Sequence, residues 1–123
     1  MPRPSSAAEV LAAYAVGTRS FVLLDLDDAV HNFEGAVLAG VDFTGSFMFA
    51  SFRGANLERA VFKSANVKTC DFSESNLSGA SFEGAAIDGA VFAGANLAGC
   101  SFEGASEYGH VYQAGERPTQ DVA

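Results

Sequence analysis

A chain of 123 residues is long enough for one domain with a single modest core. Its formal net charge of −8 argues against direct nucleic-acid binding, which needs clustered Lys and Arg, and no apolar run is long enough to cross a membrane as a helix. Two cysteines are too few for a disulfide framework, while thirteen glycines, eleven phenylalanines and no tryptophan point to a repeated structural unit.

Residues 1–18 predict an N-terminal arm and a short capping helix. Ser6 and Glu9 have capping-box spacing, the helix runs through about Val16, and Gly17 is a suitable stop. Val10, Leu11 and Tyr14 then share one face, which would cover the otherwise naked first coil of the repeat region. Glu9 interrupts what would otherwise be a signal-peptide core, so the expected address is cytoplasmic.

Residues 19–106 carry the repeat. From Phe52 onward every fifth residue is large and apolar: Phe52, Leu57, Phe62, Val67, Phe72, Leu77, Phe82, Ile87, Phe92, Leu97 and Phe102. A small residue sits two positions before each, and glycine dominates two positions after. A period of five fits neither a helix nor a long strand. It fits a short extended segment closed by a corner where glycine accepts an unusual φ. Such units cannot bury a face alone and must stack into an all-β solenoid. Phenylalanine alternates strictly with an aliphatic residue, so an even number of sides keeps each stacked column uniform. Two sides would be tight for facing rings, which leaves four sides and about 20 residues per coil.

Upstream, Phe21, Leu26, Phe33, Leu38, Phe43 and Met48 continue the alternation, provided two register breaks are allowed. Two residues are extra between Leu26 and Phe33, and one is missing between Met48 and Phe52. The columns then read Phe21, Phe43, Phe62, Phe82, Phe102; Leu38, Leu57, Leu77, Leu97; Phe33, Phe52, Phe72, Phe92; and Leu26, Met48, Val67, Ile87. Both breaks fall at one corner, in successive coils.

The units "ANLER", "ANVKT", "SNLSG" and "ANLAG" resemble the pentapeptide-repeat proteins, whose consensus is A-[DN]-L-x-x. The resemblance implies a right-handed quadrilateral parallel β-helix of about four coils. It also implies that consensus residues are structural.

Residues 107–123 predict a C-terminal cap and a disordered tail. Glu107 falls where an inward apolar residue is due, and "YGHVYQAG" would fold over the last coil. Tyr108, Val111 and Tyr112 either close the core or form an end-to-end homodimer; otherwise the chain is a monomer.

Candidate chemistry is sparse. Cys70 and Cys100 read as small inward core residues, and His31 and His110 as surface or cap residues with no metal-ligand spacing. Asn56, Asn76 and Asn96 would form a ladder of amides bonding stacked backbone. No nucleophile elbow or phosphate loop appears, so no enzyme, metal or cofactor is expected. The leading expectation is a non-catalytic, rigid protein-interaction module. Its candidate surface is the double break: Phe47, Phe49, Asp27, Asp28, Val30 and His31. Either both phenylalanines point outward beside Asp25, Asp27 and Lys68, or the shortened corner turns one inward. The alternative, implied by the resemblance, is a DNA mimic acting on gyrase or topoisomerase IV, and so a type II topoisomerase as partner. Net acidity favours it, while a belt of Arg53, Arg59, Lys63 and Lys68 and a column only about 20 Å long weigh against it.

Overall fold

Bonding between coils recurs at every five-residue step. In the computed structural model, which describes residues 3–118, parallel bridges form four ladders. One runs Ser20–Asp42–Val61–Ser81–Ser101, and one runs Phe47–Asn66–Ala86–Ser106 with Asp25 paired above Phe47. The others run Val37–Asn56–Asn76–Asn96 and Ser51–Asp71–Val91, the latter with Asn32 above Ser51. Most rungs are single bridges, because each extended segment is only about two residues long. Longer strands occur where the repeat breaks: β1 (Asp25–Asn32) pairs in parallel with β2 (Phe47–Ser51), and β3 (Ser106–Glu107) pairs antiparallel with β4 (His110–Val111).

Each regular corner is a β-turn in which the fourth residue's N–H donates to the first residue's carbonyl, as from Ala60 to Leu57 and from Ala85 to Phe82, both 3.0 Å. The third residue takes a left-handed φ, +69° at Gly84. Arg59, Ser64, Thr69 and Glu74 adopt the same region at +56° to +62°, which costs a side-chain-bearing residue about 1 kcal/mol or more.

The Asn column works differently from the expected ladder. The side-chain oxygens of Asn56, Asn76 and Asn96 each accept from the N–H two residues on in their own coil, at 3.1 Å. Asp42 and Asp71 do the same toward Thr44 and Ser73, at 2.9 and 2.8 Å. The physical reason is proximity: an Asx side chain reaches the local corner amide with little loss of freedom.

The seventeen inward residues read from the period are all buried. Down the Phe52 ladder the rings lie nearly parallel, with Phe52–Phe72 at 5.1 Å and Phe72–Phe92 at 5.3 Å. They meet the Phe62 ladder edge-on, at 81° for Phe62–Phe72 and 89° for Phe82–Phe92. Toward the top the Phe62 ladder loosens, with Phe21–Phe43 and Phe43–Phe62 tilted by 36° and 33°, while Phe33–Phe52 in the other ladder stays stacked at 4°.

Helix α1 (Ala7–Ala15) covers the top, with Val10 buried and the Tyr14 hydroxyl donating to the Ala39 carbonyl at 2.7 Å. Ser6 is its N-cap, accepting from the Glu9 N–H at 3.2 Å, while the Glu9 carboxylate turns to the Ser5 amide and hydroxyl. Those bonds hold its pKa below the ordinary carboxylate value.

The β3–β4 hairpin covers the bottom. Tyr112 is 6% exposed, lies 6.1 Å from Phe102, and donates its hydroxyl to Glu107 at 2.6 Å. Tyr108 and Val111 stay exposed. Glu116 to Pro118, expected as part of the tail, instead fold back. Glu116 binds His110 at 2.7 Å, Arg117 reaches the Leu97 carbonyl, and Pro118 is buried. A carboxylate and an apolar ring find partners there that composition does not show. The rest of the expected tail, residues 119–123, lies outside the described residues.

Candidate interaction surface

The two breaks meet in the β1–β2 pair. Leu26 opposes Met48 and His31 opposes Ala50, so residues 27–30 of β1 stand against Phe49 alone. One coil bulges while the next cuts its corner, and β2 runs straight through where a β-turn would be.

The missing residue takes backbone partners with it. At intact corners the left-handed residue donates its N–H to the next coil, as from Ser64 to Glu83 and from Thr69 to Asp88, each 2.9 Å. At the cut corner that donor is gone, and the Lys68 carbonyl accepts from the Thr69 hydroxyl at 2.6 Å. The Met48 carbonyl, which a turn would have used, accepts from the Cys70 thiol at 3.3 Å. Thr69 and Cys70 thus supply side-chain donors for a deletion some twenty residues upstream, and each satisfied carbonyl avoids a penalty of about 1–3 kcal/mol.

These roles make a chemical prediction. Burial pushes the thiols of Cys70 and Cys100 up to about 12, so almost no thiolate exists near pH 8. Ellman's reagent at that pH is expected to titrate neither thiol rapidly in the native protein and both after denaturation. Cys70→Ala is expected to lower stability by about 1–2 kcal/mol in urea melts, since it leaves the Met48 carbonyl unpaired.

Where the corner is cut, the outer surface has a recess of about 560 Å³ lined by Asp27, Phe47, Met48, Phe49, Asn66, Lys68 and Thr69. Phe47 and Phe49 both point outward, 46% and 39% exposed, while Met48 between them is buried. Asp27, Phe47 and Phe49 therefore share the recess. Asp28 and Val30 are exposed outside its lining, and Asp28 is occupied by His31 at 2.8 Å. Asn66 and Thr69 are additions that sequence reasoning missed. Their signal is register: Asn66 pairs with Phe47, and Lys68 and Thr69 follow on the next coil.

Charge is distributed unevenly around the rings. The protonated Asp27 carboxyl can donate a hydrogen bond to the neighbouring Asp25 carboxylate, and this, helped by partial desolvation and Coulomb repulsion, raises the pKa of Asp27 above its ordinary value. In the belt, Arg53 pairs with Glu74 at 3.5 Å, Arg59 with Glu58 at 3.9 Å and Lys63 with Glu83 at 3.6 Å. Lys68 makes no ion pair among the described residues. The recess thus joins the Asp27 carboxyl group, with Asp25 nearby on β1, two phenyl rings and one uncommitted ammonium. Among the described residues no cluster of three or more His, Cys, Asp or Glu could hold a metal ion.

The family model described as Pentapeptide repeats (9 copies) matches residues 62–106. Among solved structures, the chain is similar to a pentapeptide repeat protein of the Arabidopsis thaliana thylakoid lumen, at 24% identity and a TM-score of 0.59 over 75% of this chain and 68% of that one. It is also similar to a pentapeptide repeat protein from Nostoc PCC 7120, at 25% identity and a TM-score of 0.51 over 100% of this chain and 90% of that one. QnrB1, a plasmid-mediated fluoroquinolone resistance protein, shares 29% identity at a TM-score of 0.42, over 72% of this chain and 40% of its own length. No curated protein matches the sequence.

Proposed function

Pentapeptide repeats match residues 62–106, and we propose that the chain is a non-catalytic module that binds another protein through the outer face of the Phe47–Asn66 ladder. The column, a right-handed quadrilateral β-helix in this reading, serves as a rigid mount. Residues 1–18 and 107–123 close its two ends, residues 19–106 form the coils, and its setting is the cytoplasm. The observation that carries the reading is the pair of outward phenylalanines at the recess. A fold with an inward ring at every second step has ample room to bury aromatics, so two left outside, side by side, are best explained by a contact.

Aromatic anchors at the centre of an interface typically cost about 2 kcal/mol or more on truncation, roughly thirtyfold in affinity. With tagged protein and extract of the source cells, Phe47→Ala/Phe49→Ala is expected to lose the partner that the unaltered chain retains, with its circular dichroism unchanged. Equal retention would remove the reading.

A second reading, a mimic of duplex DNA acting on a type II topoisomerase, is favoured by the net charge of −8. Against it stand the belt and a column of five rungs at most, about 19 Å tall at ~4.8 Å per step. In a gyrase supercoiling assay with and without a quinolone, the expected outcome is neither inhibition nor protection. Either effect would move this reading to first place.

A further inference from the structure

We infer that the partner met by this face is a second copy of the same chain, laid antiparallel against it about a two-fold axis through the Met48 coil. The inference rests on the reading of the Phe47–Asn66 ladder as a binding face, and goes beyond it by naming the occupant.

The basis is the order of the outward side chains. Around the buried Leu26 stand Asp25 and Asp27; around Met48, Phe47 and Phe49; around Val67, Asn66 and Lys68. Three successive coils therefore read acid, aromatic, base. A two-fold axis lying in the face, across the column at Met48, exchanges the first and third coils and keeps each flanking column opposite itself. Phe47 then lies on Phe47 of the second copy, and Phe49 on its Phe49. Lys68 of each copy comes opposite Asp27 of the other, with Asp25 beside it. The charge contact is thus made twice and the ring contacts lie across the axis, as in an isologous interface.

Within one copy these charges cannot satisfy each other. The acidic pair and Lys68 are two coils apart, about 10 Å along the column, and no ion pair joins them among the described residues. Asp25 and Asp27 instead stand beside each other, close enough that Asp25 raises the pKa of Asp27. A lysine brought to them from outside would relieve their repulsion, and stacking the two ring pairs would cover the apolar recess.

The face is small. Five rungs of one ladder, about 19 Å tall, fall short of the area buried by most stable dimers. The dimer is therefore reversible and concentration-dependent rather than permanent.

The charges allow a test that needs no foreign ligand. Lys68→Glu places acid against acid on both sides of the axis, and Asp25→Lys/Asp27→Lys places base against base. Sedimentation velocity, run up to the solubility limit, is expected to show a dimer for the unaltered chain and monomers for each charge variant alone. An equimolar mixture of the two variants is expected to recover the dimer, because each then complements the other. All three substitutions lie on exposed positions of a column whose core they do not enter. A monomeric unaltered chain, a dimer surviving either single-sign variant, or a mixture that stays monomeric would overturn the inference. So would a dimer lost on Tyr108→Ala/Val111→Ala, since that places the contact at the bottom cap. If the dimer fails while Phe47→Ala/Phe49→Ala still loses a captured partner, the interaction-module reading stands without it.

Discussion

Phe72→Ala is expected to lower stability by about 3–5 kcal/mol, the usual cost of emptying a fully buried phenylalanine site. Phe72 sits between two stacked neighbours, Phe52 and Phe92, and meets Phe62 and Phe82 edge-on. Its removal strips contacts from four rings at once, in a column whose coils touch only their neighbours and cannot collapse sideways to fill the space. Domains of this size hold about 5–15 kcal/mol in total, so the variant should unfold at a small fraction of the parent's urea midpoint. Phe21→Ala is the useful comparison. Phe21 has one stacked neighbour, tilted by 36°, and lies under the capping helix. A smaller loss is expected there, and equal losses would contradict the stacking account.

Tyr112→Ala is expected to cost about 3 kcal/mol or more and to make the chain self-associate at its lower end. The Tyr112 ring covers Phe102, its N–H donates to the Ala105 carbonyl, and its carbonyl accepts from the Gly104 N–H. Without the ring the last coil presents bare rungs and the edge of the phenylalanine column. Tyr112→Phe separates the two contributions. It keeps the cover and removes only the hydroxyl bond to Glu107, worth about 1–2 kcal/mol. Thermal melts followed by light scattering would distinguish them: aggregation and a large drop in midpoint for the alanine variant, and only a modest drop without aggregation for the phenylalanine variant. Aggregation of the phenylalanine variant as well would mean that the hydroxyl bond, not the ring, holds the hairpin in place.

Much of the column could be read from residue order. The alternation of Phe with Leu, Val or Ile assigned each inward residue to a stack, and the pairing of Leu26 with Met48 and of Asn32 with Ser51 comes from counting residues across two breaks. Counting works because the inward positions are the ones with a strict steric requirement, and that requirement repeats. The Asx positions also repeat, but their partner could not be counted. A side-chain oxygen two residues from a corner amide and one coil from another faces two acceptable bonds, and only local geometry chooses the first. Ser46 is a sharper case. It sits buried at a position reserved for small residues, yet its hydroxyl accepts from the Leu24 N–H and donates to the Phe21 carbonyl, both at 3.0 Å. It thereby closes the corner that Leu23 turns at φ +57°.

The sequence by itself determined the period, the inward residues, the uniform stacks and the location of the irregular corner. All of these depend on volume, and volume is legible in residue type. Only the tertiary structure decided that Phe47 and Phe49 both face outward, that Thr69 and Cys70 supply the bonds lost at the cut corner, and that Asp27 and Lys68 come to one recess. Outward side chains obey no period here. Which of them become neighbours depends on how one coil registers on the next, and at this corner that register is reset by an insertion and a deletion together.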